Sequence, residues 1–285
     1  MDVSFDATKR ELTTDQGTLR YHEAGDADAP PLILLHGSGP GVTGWRNYRG
    51  NIGVFAETHH CYVLEFPGFG VSDPVKGHPV LTAGSSVIRF MDALGIESAP
   101  VIGNSMGGVV GVNLAIKKPE RVSKLVTIGG VGPNVFSSSP SEGLRLLQEF
   151  TDGPDRDKLV RWLTAMVYDP ALITEELIEE RWEAAINPDA QETAQMMYGS
   201  AAFAMQQQFM AASDTPPYWS MMHKVSCPTL LTWGRDDRVS PPDMSMVPMR
   251  LIPNAELHIF PNCGHWVMIE AKKAFEGAVL DFLGR

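Results

Sequence analysis

The sequence predicts an α/β domain: a mainly parallel sheet with helices on both faces and a helical insertion past its midpoint. Three observations carry this expectation. Short continuous apolar runs of strand length recur along the chain, several rich in β-branched residues. Helix-forming stretches separate many of them, and such alternation implies parallel strands covered on both faces. The alternation breaks between about residues 139 and 212, where helical patterns follow one another.

In chain order, residues 18–23 read as a strand of an antiparallel edge. The apolar runs at 31–35, 61–66, 100–102, 124–128, 229–233 and 257–260 supply the parallel strands, with helices at 83–94 and 107–117 between them. The insertion reads as helices over 142–150, 156–168, 174–186 and 192–210. Thr174 ahead of Glu175 and Glu176 resembles an N-cap followed by first-turn acids. The chain is therefore expected to divide into a core, residues 1–138 and 213–285, and an inserted cap, residues 139–212. The cap is expected over the sheet's C-terminal edge, because ligand sites of open α/β sheets lie there.

The 285 residues suit one large α/β domain, and 44% hydrophobic with 20% charged residues is an ordinary globular balance. A net charge of −11 without any Lys/Arg cluster argues against nucleic acid and anionic membrane surfaces as partners. No apolar run is long enough for a bilayer, and the opening residues lack the basic and apolar regions of a signal peptide. Cys61, Cys227 and Cys263 are scattered and without metal-ligand spacing. A cytoplasmic protein without metal or cofactor is the expectation.

The chemistry concentrates in Val101-Ile102-Gly103-Asn104-Ser105-Met106-Gly107-Gly108. An apolar strand runs into Gly-x-Ser-x-Gly and a helix follows, the pattern of a sharp turn that presents a nucleophilic serine. By itself the pattern arises by chance about one time in ten in a chain this long. Such a serine needs a base and an orienting acid, in the order Ser, acid, His, each beyond a later strand. Among eight histidines, His265 fits best, in the loop after the strand at 257–260. The acid lies in Trp233-Gly234-Arg235-Asp236-Asp237-Arg238, where Asp237 is favoured, Asp236 is the alternative and Asp243 a third choice. His36-Gly37-Ser38-Gly39-Pro40-Gly41 follows the strand at 31–35. Its glycines, Gly37 and Gly39 among them, let backbone approach a substrate oxygen. The Ser38 and Met106 amides are then the expected oxyanion donors. A dinucleotide-binding loop, with Glu65 as ribose acid, is the rival. The spacing is not Gly-x-Gly-x-x-Gly, and Pro40 interrupts it.

Taken together, His36 to Gly41, Gly103 to Gly108, Trp233 to Arg238 and Cys263-Gly264-His265-Trp266 resemble the meta-cleavage product hydrolases. These are carbon–carbon bond hydrolases of the α/β-hydrolase fold in bacterial aromatic degradation. The resemblance extends through the cap, from Val167-Tyr168-Asp169-Pro170 to Arg181-Trp182-Glu183. It implies Ser105, Asp237 and His265 as a triad, and Arg181 as the group binding the carboxylate of a small anionic dienoate. Asn47, Asn104 and Trp266 would be polar neighbours, in a homodimer or higher homo-oligomer. Read without the resemblance, Arg181 is a helix-surface ion pair with Glu180 or Glu183. Val239 and Met166 depart from the commonest family pattern in the pocket for the group released as a carboxylic acid. Smaller Val239 and flexible Met166 suggest a bulkier or differently shaped substituent there. A carboxylesterase or lactonase with the same triad is the alternative function.

Overall fold

The structure, a computed structural model, describes residues 2–212 and 216–285. Eight strands form one sheet: β1 (Lys9–Thr14), β2 (Gly17–Ala24), β3 (Pro31–Leu35), β4 (His60–Leu64), β5 (Ala99–Asn104), β6 (Val122–Ile128), β7 (Thr229–Gly234) and β8 (Ala255–Phe260). Their order is β1-β2-β4-β3-β5-β6-β7-β8. β1 and β2 are antiparallel to their neighbours, and every pairing from β4 to β8 is parallel.

The helices around the sheet are α1 (Phe5–Thr8), α2 (Gly44–Tyr48), α3 (Ile52–Phe55), α4 (Pro79–Ala93) and α5 (Met106–Lys117). Between β6 and β7 come α6 (Glu142–Asp152), α7 (Arg156–Met166), α8 (Glu175–Ala185), α9 (Pro188–Tyr198) and α10 (Ser200–Ala212). After β7 follow α11 (Met246–Leu251), α12 (Val267–Glu270) and α13 (Lys272–Gly284). The junction expected at 212/213 adjoins residues 213–215, which lie outside the described residues.

β3 shows why the strands read as unbroken apolar runs. Leu32, Ile33, Leu34 and Leu35 are all 0% exposed. Side chains alternate across a strand, so Leu32 and Leu34 join the cluster of Tyr48, Phe55 and Phe275. Ile33 and Leu35 join Phe90, Val110 and Trp233 on the other face. The first cluster continues into the insertion through Phe150, Leu159 and Trp162, so the inserted helices share an apolar core with one face of the sheet.

Two elements differ from expectation. β1 was not foreseen, because it is exposed almost throughout and carries no apolar alternation; antiparallel pairing with β2 makes it a strand. The helix expected over 192–210 is two helices. Gly199 leaves α9 in an extended conformation (φ −63°, ψ 152°), and the Asp152 carboxylate accepts the Ser200 N–H at 2.9 Å to start α10. Thr174 caps α8 by accepting the Leu177 N–H at 3.2 Å. Among the described residues no helix is long and apolar enough to cross a membrane.

Candidate active site

Ser105 joins β5 to α5 with φ 52° and ψ −113°, a positive φ that non-glycine residues rarely adopt. The fold holds it there from both sides. Its N–H donates to Ile128 O of β6 at 2.8 Å, and its carbonyl accepts the Val109 N–H at 3.0 Å. Gly107 is required by close approach: a Cβ there would stand 2.3 Å from Leu35 O. Met106 opens α5, so its amide is one of the first-turn donors with no intrahelical acceptor.

Ser105 and His265 line one cavity of about 200 Å³ at the C-terminal ends of the strands. His265 Nδ1 donates to Asp237 Oδ2 at 2.7 Å, with both side chains buried. Asp237 Oδ1 accepts the Val239 and Ser240 N–H groups, each at 2.8 Å, which orients the carboxylate. The His265 amide donates to Met166 O of α7 at 2.7 Å, tying the histidine loop to the insertion. The ambiguity over the acid resolves by geometry. Asp236 instead pairs with Arg235 at 3.2 Å and accepts the Cys263 N–H at 3.3 Å. Asp243 is elsewhere: its Oδ2 accepts the N–H groups of Val135, Phe136 and Ser137 at 2.7, 3.0 and 3.2 Å. Burial would raise its pKa, but those bonds outweigh burial and hold it down to about 2. His36 is structural: Nδ1 donates to Gly37 O at 2.6 Å, and Nε2 accepts the Phe66 N–H at 2.9 Å.

The polar end of the cavity holds Arg181. It is 2% exposed, donates from Nη1 to Pro40 O at 3.2 Å, and lies over the Trp266 ring at 5.0 Å. The surface ion pair considered for it does not form, because Glu180 turns to Arg46 and Arg49 at 2.9 and 3.1 Å. Burial, with Arg46 second, pulls the Arg181 pKa down to about 9. Asn47 Oδ1 accepts the Gly37 N–H at 3.0 Å, and Asn104 Nδ2 donates to Ile128 O at 3.2 Å. Three buried donors facing this region have no partner among the described residues: Arg181 Nε, Asn47 Nδ2 and Trp162 Nε1. Buried donors are normally satisfied, so this clustering marks a place for a ligand's acceptors.

Glu65, the ribose acid of the rival reading, has a structural task. Its carboxylate accepts the Gly44 and Trp45 N–H groups at 2.6 and 2.8 Å, capping α2, the helix that carries Asn47. Burial pushes its pKa from the ordinary 4.5 up to about 7. His22 Nε2 stands 3.7 Å away, lowered by burial to about 4. Between the two Glu65 values the folded protein keeps a proton that the unfolded chain releases, so this group's contribution to stability falls as pH rises through that window. Glu65→Gln cannot titrate. Its Tm relative to wild type is expected to improve between about pH 5 and about pH 8. A difference that stays constant, or moves the other way, would contradict this.

Val239 and Met166 both line the cavity, as do Ser38, Gly37 and Gly39. Sequence reasoning missed two further lining residues. Trp162 lies one helical turn before Met166 on α7, and a Cβ at Gly39 would stand 2.2 Å from its Cη2. Helical spacing from Met166 was a signal that could have found it. Tyr198, at the end of α9, shares a hydrogen bond with the Ser38 hydroxyl. No local signal points to Tyr198.

A serine on a strand-to-helix elbow, sharing a cavity with a His–Asp pair, defines a serine hydrolase of the α/β-hydrolase class. The profile for the α/β hydrolase fold matches residues 30–272. The chain is 38% identical over 270 residues to the 2-hydroxy-6-oxononadienedioate/2-hydroxy-6-oxononatrienedioate hydrolase of Comamonas testosteroni, covering 93% of this chain and 91% of that one. It is 37% identical over 292 residues to the 2-hydroxy-6-oxo-6-phenylhexa-2,4-dienoate hydrolase of Burkholderia cepacia, covering 99% and 98%. The solved 2-hydroxy-6-oxo-6-phenylhexa-2,4-dienoate hydrolase of Rhodococcus sp. strain RHA1 superposes with a TM-score of 0.86 at 26% identity, covering 97% of this chain and 98% of that one. The chain belongs to the meta-cleavage product hydrolases of the α/β-hydrolase fold.

Proposed function

We propose that this protein hydrolyses a carbon–carbon bond of a 2-hydroxy-6-oxohexa-2,4-dienoate from aromatic degradation, releasing 2-hydroxypenta-2,4-dienoate and a carboxylic acid. The observation that carries this reading is Arg181. A buried guanidinium with no acidic partner among the described residues, lying over the Trp266 ring inside a serine-hydrolase cavity, suits a planar carboxylate. An ester or lactone substrate has no need of it.

In this mechanism Arg181, Asn47 and Asn104 hold the carboxylate and 2-oxygen end. A proton moves from the 2-hydroxyl to C5, giving the 2,6-dioxo tautomer, whose enone can accept an electron pair at C5. His265, oriented by Asp237, takes the Ser105 proton as Ser105 attacks the C6 carbonyl. The Ser38 and Met106 amides receive the developing oxyanion, a contribution of roughly 3 kcal/mol per donor. The C5–C6 bond then breaks. Its electrons pass through the enone to the 2-oxygen, and the acyl group stays on Ser105 until water hydrolyses it. Residues 139–212 act as a cap, since Trp162, Met166, Arg181 and Tyr198 complete the cavity from above the strand ends. All three cysteines are buried free thiols, which suits a reducing cytoplasm. A homo-oligomeric state follows only from the resemblance.

Arg181→Gln separates this function from an esterase. The variant is expected to lose about 100-fold in kcat/KM for a dienoate. Its hydrolysis of p-nitrophenyl acetate should change little. Equal losses on both substrates, or none on the dienoate, would remove Arg181 from carboxylate recognition.

A further inference from the structure

The names of the two kinds of relative differ in one group. A 2-hydroxy-6-oxononadienedioate carries a second carboxylate on the chain beyond C6, and a 6-phenylhexadienoate carries an uncharged ring there. Identities of 38% and 37% do not choose between them. The charges around the cavity do.

In the pose proposed above, with the C1 carboxylate at Arg181 and C6 at Ser105, we place the C6 substituent where α6 meets the segment after Asp237. That side is formed by Leu144, Leu147, Val239 and Met244. Val239 packs directly on α6, since a Cβ at Gly143 would stand 2.5 Å from its Cγ2. Trp162 and Met166, one turn apart on α7, also line the cavity. Among the described residues Arg181 is the only Lys or Arg lining the cavity, and Pro40 and Trp266 hold it in place. The cations nearest in sequence are turned away. Arg238 donates to Thr164 O and Val167 O and pairs with Glu142 at 3.3 Å, and Arg145 on α6 is exposed. Ser240 provides only a neutral polar group. A carboxylate seated there would give up hydration and gain no cation, a penalty against an apolar lining.

We infer that the C6 substituent of this protein's substrate is an uncharged hydrocarbon, alkyl or aryl, and that the α6–Val239 side of the cavity selects it. The inference rests on the dienoate reading above and narrows it to one substrate class. The carboxylic acid released is then a simple alkanoic or aryl acid rather than a diacid.

The test measures kcat/KM of the purified full chain on four dienoates, with 6-methyl, 6-isopropyl, 6-phenyl and 6-(2-carboxyethyl) groups, by loss of the dienolate absorbance. The best hydrocarbon substrate is expected to exceed the carboxyethyl substrate by at least about 100-fold. Leu144→Arg supplies a cation on the partly buried face of α6. It is expected to raise the carboxyethyl-to-methyl ratio at least about tenfold. Carboxyethyl turnover equal to or above the best hydrocarbon would overturn the inference while leaving dienoate hydrolysis standing. An unchanged ratio in Leu144→Arg would count against this side of the cavity as the selecting surface. Failure on all four dienoates, with p-nitrophenyl esters still cleaved, would instead overturn the dienoate reading.

Discussion

Ser105→Ala is expected to lower kcat for dienoate cleavage by about 10⁴-fold or more, while the variant still binds substrate. In the proposed mechanism the Ser105 hydroxyl forms the acyl bond, and no other serine or cysteine lies on the elbow. The elbow itself should survive the change. It is held by the Ser105 N–H to Ile128 O, by the Ser105 carbonyl to Val109, and by the approach of Gly107 to Leu35, none of which uses the side chain. Arg181 and Asn47, the proposed carboxylate receptors, remain in place. Rapid mixing should therefore register a bound dienoate whose absorbance persists, with a Tm close to wild type. Near-normal product formation by this variant would exclude acyl transfer through Ser105.

The second large effect is expected from Asp237→Asn, a loss of about 10³- to 10⁴-fold in kcat. Asp237 accepts three hydrogen bonds: His265 Nδ1–H on Oδ2, and the Val239 and Ser240 N–H groups on Oδ1. Asparagine offers one acceptor oxygen and one donor NH₂. If its oxygen keeps the two backbone amides, its NH₂ faces His265 Nδ1 and favours the tautomer with the proton on Nε2. That tautomer cannot take a proton from Ser105. If the amide flips, two buried N–H groups lose their acceptor, at about 1–3 kcal/mol each in stability. Asp236→Asn, touching only Arg235 and the Cys263 amide, is expected to leave kcat within about threefold. Steady-state kinetics with Tm on both variants checks the pair. Comparable losses in the two would mean that the orienting acid has been misassigned.

The same residues show how far local sequence reaches. β3, β5, β6 and β7 were legible because both faces of the sheet are covered there and each carries a largely apolar run, while the edge strand β8 showed itself by alternating Leu257 and Ile259 with exposed Glu256 and His258. The elbow was legible for a steric reason, since a Cβ at Gly103 or Gly107 would stand 2.3 Å from backbone atoms. The exposed strand β1 was illegible, because its stability comes from pairing rather than from its own pattern. The break at Gly199 was hidden for a related reason: a single glycine inside a helical pattern stops a helix only where another segment, here the Asp152 end of α6, captures the freed amide.

Arg181 marks the boundary between the two kinds of information. Its neighbours Glu180 and Glu183 suggest a surface ion pair, and local sequence offers no reason to bury it. In the fold, Glu180 is drawn to Arg46 and Arg49, more than 130 residues away in the chain, and Arg181 turns inward over the Trp266 ring. Tyr198 reaches Ser38 across a separation of 160 residues, and Trp162 settles on Gly39 from a helix of the insertion. Periodicity and turn chemistry act between near neighbours, so they suffice for the α/β alternation, the Ser–acid–His order and the glycine loop. Burial of a charge, choice between two adjacent aspartates and the lack, among the described residues, of a second cation lining the cavity depend on which distant segments meet. Those were decided only when the helices between β6 and β7 closed over the strand ends.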